Sequence, residues 1–164
     1  MRTTKASLAA GVAAIVVTIL VAVGAPSAFA QGDSLLGTWV LNVAKSKYTP
    51  GPPPKEQTTI IEAAGQGLKF TTKGTDSDGK PTMTAFTANY DGKDYPVTGN
   101  PAWDMVSLKR VNANTVEYTR KRGGKVVQTA TSVVSKDGKT RTITATGVDA
   151  QGQKINNVSV YDKK

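Results

Sequence analysis

The chain has 164 residues, with 21 Lys+Arg, 12 Asp+Glu, a formal net charge of +9, and neither His nor Cys. That length holds one domain, at most two small ones. The missing residue types exclude disulfides, thiol nucleophiles, Cys-ligated zinc or iron–sulfur centres, the His-ligated forms of haem and the Ser-His-Asp triad, which leaves carboxylates, Lys, Tyr, Ser and Thr for any chemistry.

Residues 1–30 read as an export signal. Arg2 and Lys5 are the only charges before Asp33, the run Leu8 to Val23 is apolar, and Ala28-Phe29-Ala30 places small residues at the cleavage positions. The run is shorter than the ~20 residues that span a bilayer. The pattern predicts cleavage after Ala30, no membrane span, and a periplasmic or secreted domain of residues 31–164. No Cys stands at the junction to carry a lipid. The 21 basic residues less Arg2 and Lys5 leave 19 against 12 acidic ones, a net charge of +7 for that domain. Its Lys residues are mostly spread singly along the chain, apart from the terminal Lys163-Lys164, and only Arg120-Lys121-Arg122 forms a basic run of three. Spread charge on an exported protein predicts a solvated surface with weak attraction to anionic surfaces and no nucleic-acid partner.

From residue 31 the chain carries 19 Thr and 13 Val against 5 Leu. β-branched side chains suit a pleated surface and lose rotamer freedom in a helix. Apolar residues alternate in short runs, with no 3.6-residue stripe. The runs predict ten strands: Leu36–Val43, Gln57–Ala64, Leu68–Thr75, Thr82–Tyr90, Asp94–Thr98, Asp104–Val111, Thr115–Arg122, Lys125–Ser135, Thr140–Gly147 and Lys154–Asp162. Asp78-Gly79, Asp91-Gly92, Asp137-Gly138 and Gly123-Gly124 supply hairpin turns between them. Two junctions are longer: Ala44–Glu56, with Pro50-Gly51-Pro52-Pro53-Pro54, and Gly99–Trp103. The first is expected to be extended and stiff. Consecutive hairpins in one small domain predict an all-β fold, a single up-and-down antiparallel barrel, since closure removes exposed edges. A two-sheet sandwich needs longer crossovers.

Leu36-Gly37-Thr38-Trp39 resembles the G-x-W motif that opens lipocalins and fatty-acid-binding proteins. Val158-Ser159-Val160-Tyr161-Asp162-Lys163 is similar to the last strand of the latter. The two motifs point to a bacterial exported lipocalin-like (calycin) family. The resemblance implies a ligand held inside the barrel. It also implies differences: Ser159 stands where fatty-acid-binding proteins carry an Arg toward the ligand carboxylate, and the proline-rich segment stands where they carry a helical lid.

Side chains alternate faces along a strand, so the apolar phase points inward. That phase holds Trp39, Leu41 and Val43; Leu68, Phe70 and Thr72; Val106, Leu108 and Arg110; Val116, Tyr118 and Arg120; and Arg141, Ile143 and Ala145. Hairpin parity puts Gly37, Trp39, Arg110 and Arg141 at the end where the first strand begins, the base. It puts Arg120, the proline segment and Trp103 at the opposite end, the mouth. Arg110 and Arg141 are expected either to stack on Trp39 as a structural plug or to meet a ligand. Arg120 is either a solvated strand end or an anion contact, and Trp103 either packs under its loop or covers the mouth. The candidate ligand-binding residues are therefore Phe70, Tyr118, Arg120 and Trp103. Asp76-Ser77-Asp78-Gly79 resembles the start of a calcium loop but lacks its later carboxylates, and reads as a turn. No metal, cofactor or catalytic residue is expected. The sequence predicts a non-catalytic barrel binding a small apolar or amphipathic molecule in its interior. The alternative is a filled barrel acting at the cell envelope through its basic surface.

Overall fold

The structure, a computed structural model, describes residues 32–164. The predicted signal peptide and its cleavage point lie outside the described residues. The ten strands are β1 (Gly37–Leu41), β2 (Glu56–Ala64), β3 (Gly67–Thr75), β4 (Pro81–Asn89), β5 (Tyr95–Thr98), β6 (Met105–Asn112), β7 (Thr115–Arg122), β8 (Lys125–Val134), β9 (Thr140–Val148) and β10 (Lys154–Lys163). Each pairs antiparallel with its sequence neighbours, and β1 pairs with both β2 and β10, closing an up-and-down barrel. The fold class, strand count and order are those the alternation predicts. β5 is short: Pro96 lacks the N–H a ladder needs, and two residue pairs join it to each neighbour. Among the described residues no helix is long and apolar enough to cross a membrane.

The inward phase holds along most strands, Val43 departs from it, and in β8, where Val126 and Val127 leave the phase open in the sequence, a bulge sets it. Val43 was expected inside but is 37% exposed. The chain leaves β1 at Asn42, whose side chain accepts from the Lys45 amide and caps one 3-10 turn, Val43–Lys45, that turns Val43 outward. In β8 the register slips between the Arg120↔Gln128 and Lys121↔Val126 pairs. A bulge there takes up one extra residue. Gln128, Ala130, Ser132 and Val134 face inward as a result, and Val126 is exposed.

The base is packed solid. Leu35, Trp39, Ile61, Leu68, Leu108, Val116 and Val134 are almost fully buried there. Trp39 donates its indole N–H to the Leu35 carbonyl at 2.7 Å. An Arg over the Trp39 ring was expected; the cation there is the Lys163 ammonium, 5.0 Å from the ring centre. Arg110 is drawn away by an ion pair with Asp33, whose carboxylate is wholly buried, and its guanidinium lies 4.0 Å over the Tyr90 ring. Tyr90 donates to the same carboxylate at 2.5 Å. This network pins the segment ahead of β1 under the barrel floor.

Candidate functional site

Above the packed base the barrel is open. A cavity of about 280 Å³ runs from Phe70, Tyr118 and Arg141 to the mouth, where Pro54, Trp103 and Asp149 line it. One side is aromatic. Phe70 on β3 and Phe86 on β4 face each other in register and stack at 4.5 Å. Tyr118 meets Phe70 edge-on at 6.3 Å, and Trp103 meets Phe86 edge-on at 6.1 Å. Such offset and edge-on pairs add stability beyond the area they bury. They fix the ring planes that a bound molecule would touch.

The other side is polar. The Tyr48 and Ser159 hydroxyls lie 2.7 Å apart, and the Tyr161 hydroxyl donates to Gln57 Oε1 at 2.5 Å. Burial pushes the Tyr48 phenol above its ordinary value and the Tyr161 phenol far above it. Both phenols are therefore neutral across the physiological pH range.

Two guanidiniums enter this cavity. Arg120 closes the inward phase of β7, one inward position above Tyr118. Its Nη1 donates to Gln128 Oε1 at 2.9 Å, and Gln128 Nε2 donates to the Val148 carbonyl at 2.8 Å, which fixes the amide. The guanidinium carbon lies 4.8 Å from the Trp103 ring centre and 5.9 Å from that of Tyr118. Its Nε is buried and has no hydrogen-bond partner among the described residues. Burial pushes its pKa below the ordinary value, and the positive charge of Arg141 acts in the same direction. Arg141 opens β9 and is only 3% exposed. Its Nε donates to Ser132 Oγ at 2.9 Å and its Nη2 to the Tyr118 hydroxyl at 3.2 Å. Among the described residues neither guanidinium makes an ion pair. The cavity carboxylate, Asp149, accepts the Gln151 and Gln153 amides and so holds the β9–β10 turn.

The structure brings the four candidate ligand-binding residues together on this one cavity. Of the four residues placed at the base, Gly37 and Trp39 lie there, and Arg110 closes the floor with Asp33. Arg141 starts from the base end but extends upward, so its guanidinium lines the cavity. Ser132 and Tyr118 offer it acceptors on that side, while Lys163 already covers Trp39. Tyr48, Gln57, Gln128 and Tyr161 also line the cavity. Tyr161 was legible as an inward-phase partner of Ser159. Gln128 was hidden by the bulge, and Tyr48 lies in a loop without periodicity. Asp76 accepts the Asp78 and Lys80 amides, an ordinary turn. Among the described residues no cluster of acids could hold a metal ion.

No family model matches the sequence, and no curated protein matches it. Among solved structures, Rv2717c from M. tuberculosis matches with a TM-score of 0.52 and 12% identity, over 80% of this chain and 93% of that one. Zebrafish ileal bile acid-binding protein, crystallised with cholic acid, gives a TM-score of 0.48 and 14% identity, over 80% and 99%. The siderocalin Ex-FABP gives 0.34 and 14%, over 80% and 74%. At these identities the first match bears on architecture alone, and the lower scores of the other two carry no argument. The fold observed is the up-and-down ten-stranded barrel expected from the sequence.

Proposed function

We propose that the protein is an exported, non-catalytic carrier that holds a small, partly apolar molecule inside its barrel. The observation that carries this reading is the meeting, in one cavity, of an aromatic wall with two guanidiniums that have no carboxylate partner among the described residues. A partly desolvated guanidinium presents paired donors to a carboxylate, and the stacked rings of Phe70 and Phe86 offer an apolar body its contact. The packed base leaves the mouth as the entrance, flanked by Trp103 and Arg120. The cavity phenols hold their protons, and Asp149 is tied into its turn through Oδ1. Open space at the mouth favours the carrier over a filled barrel that acts through its surface.

Fluorescence of Trp103 reports ligand entry. Aromatic acids, fatty acids and their neutral counterparts are titrated into the wild type and into Arg120→Ala. Acidic ligands are expected to lose about 1.5–3 kcal/mol in the variant, the range for hydrogen bonds to charged groups. Neutral ligands and the urea midpoint are expected to hold. Binding by no apolar molecule would overturn the carrier and leave the surface module. For export, N-terminal sequencing of protein recovered from the periplasm or medium should begin at Gln31; Met1 there would refute it.

A further inference from the structure

We infer that the ligand is a compact dianion: two negative charges on a small, partly aromatic frame. This rests on the carrier reading and names its ligand class. The first support is the charge count. Arg120 and Arg141 bring two positive charges into the cavity, and among the described residues neither is ion-paired, the Asp149 carboxylate at the rim holding two backbone amides through Oδ1 instead. A buried cation is expensive unless it is paired and hydrogen-bonded. Gln128, Ser132 and Tyr118 supply neutral acceptors but no counter-charge. A monoanion would neutralise one guanidinium and leave the other uncompensated in a space the ligand has made drier.

Free donors are the second support. Arg120 uses Nη1 for Gln128, so its Nε–Nη2 edge is unoccupied, and Nε on that edge is buried without a partner. A buried polar atom left unpaired is uncommon enough to need an explanation, and an anionic oxygen on this edge supplies one. Arg141 uses Nε and Nη2 and keeps Nη1. Tyr118 touches both, with its ring facing Arg120 and its hydroxyl on Arg141. The frame is therefore held against the same aromatic side chain that sets the two cations.

Size is the third support. At about 280 Å³, the cavity sits below the ~300–1,000 Å³ of most small-molecule sites. It suits one or two rings rather than a long acyl chain. The two charges can sit on one doubly ionised group, as in an aryl phosphate monoester, or on two carboxylates of an aryl diacid. Both present the same pair of charges on the same compact body.

Calorimetric titration of the mature chain with phenyl phosphate, terephthalate, benzoate and benzyl alcohol tests the inference on a single ring. One or both dianions should bind at least roughly tenfold tighter than benzoate, the scale of one charge-assisted hydrogen bond. Preference for phenyl phosphate alone identifies a single doubly charged head; preference for terephthalate alone identifies a two-ended ligand. Either supports the inference. Arg120→Gln and Arg141→Gln should each weaken the favoured dianion roughly 10- to 100-fold, whereas benzoate should lose that much in only one of them. If Arg141→Gln does not fold, Arg141→Lys, which keeps the charge but loses the fork, takes its place. A further readout needs no variant. Lowering the pH from about 8 to about 5 takes phosphate through its second pKa near 6, and phenyl phosphate, if favoured, should fall to the benzoate level while benzoate holds. Benzoate or benzyl alcohol binding as tightly as both dianions would overturn the inference and leave the carrier standing. Binding by none of the four, nor by larger apolar molecules, would remove the carrier itself.

Discussion

The Lys163 ammonium lies 5.0 Å from the centre of the Trp39 ring, and the two residues are directly paired across β10 and β1. Gly37 makes room for this arrangement. A Cβ built there would come 2.8 Å from Lys163 Cε, and its φ of +122 suits glycine. The G-x-W motif thus leaves a path for a lysine chain to pass under the tryptophan. The apolar stem packs while the charge reaches solvent.

Trp39→Ala should cost about 3–5 kcal/mol, the usual loss when a buried Trp is truncated. Lys163→Met keeps the stem and should cost only about 0.5–1 kcal/mol, the contribution of an exposed cation on a ring. Urea midpoints measure both. Equal losses would mean that the lysine, rather than the ring, fills the base.

Asp33→Asn should cost about 1–3 kcal/mol. The carboxylate is fully buried, but Arg110 is 27% exposed, so the loss falls below the ~3–5 kcal/mol of breaking a fully buried pair. Adding Arg110→Met should recover part of it, because no unpaired cation is then left under the floor. A double-mutant cycle reads the coupling, and a cycle that sums to zero would sever this pair from stability.

Gly147→Ala should unfold the protein or cost more than ~3 kcal/mol, by steric strain and backbone displacement. With φ at +140, its new Cβ would meet the Val127 carbonyl at 2.1 Å and Gln128 Cα at 2.7 Å. Both are backbone atoms of the β8 bulge. Gly123→Ala, in open space at φ +54, should cost about 1–2 kcal/mol for the left-handed conformation alone. Thermal melts of the two variants make the comparison.

Stability should fall above about pH 10. Burial holds the Tyr90 and Tyr161 phenols far above their ordinary value of 10.0, and the Asp33 carboxylate adds to this at Tyr90. In the unfolded chain both ionise near 10, while the native state keeps its protons. Above that pH the unfolded state binds fewer protons, so the unfolding free energy declines as pH rises toward the folded values. Tyr161→Phe should flatten the decline in urea midpoints measured across that range. An unchanged slope would assign the loss to other groups.

Alternation and turn chemistry made the barrel legible. Phe70, Tyr118 and Arg120 fell in the inward phase, and hairpin parity sent Arg120 to the mouth, where its guanidinium meets the cavity. The base was less legible, because a long side chain does not act where its Cα sits. Arg141 begins at the base and reaches into the cavity, and Lys163 reaches Trp39 from a strand end that reads as solvated. Asp33 carried no signal: it precedes the first strand, and its role depends on Arg110, 77 residues away. Gln128 was concealed by a bulge, which changes the inward phase without marking the composition.

The segment after Asn42 hydrogen-bonds to β10 through Lys47, Thr49 and the Asn157 side chain, whereas the β1 ladder with β2 stops at Thr58. Between them lies a seam without backbone rungs, faced by Tyr48, Pro54 and Gln57 on the cavity side. A fully closed barrel has a fixed girth, because widening it anywhere breaks a row of backbone hydrogen bonds. Here one stretch of the wall is closed by side chains instead, with the Tyr161 hydroxyl of β10 bonded to Gln57 of β2.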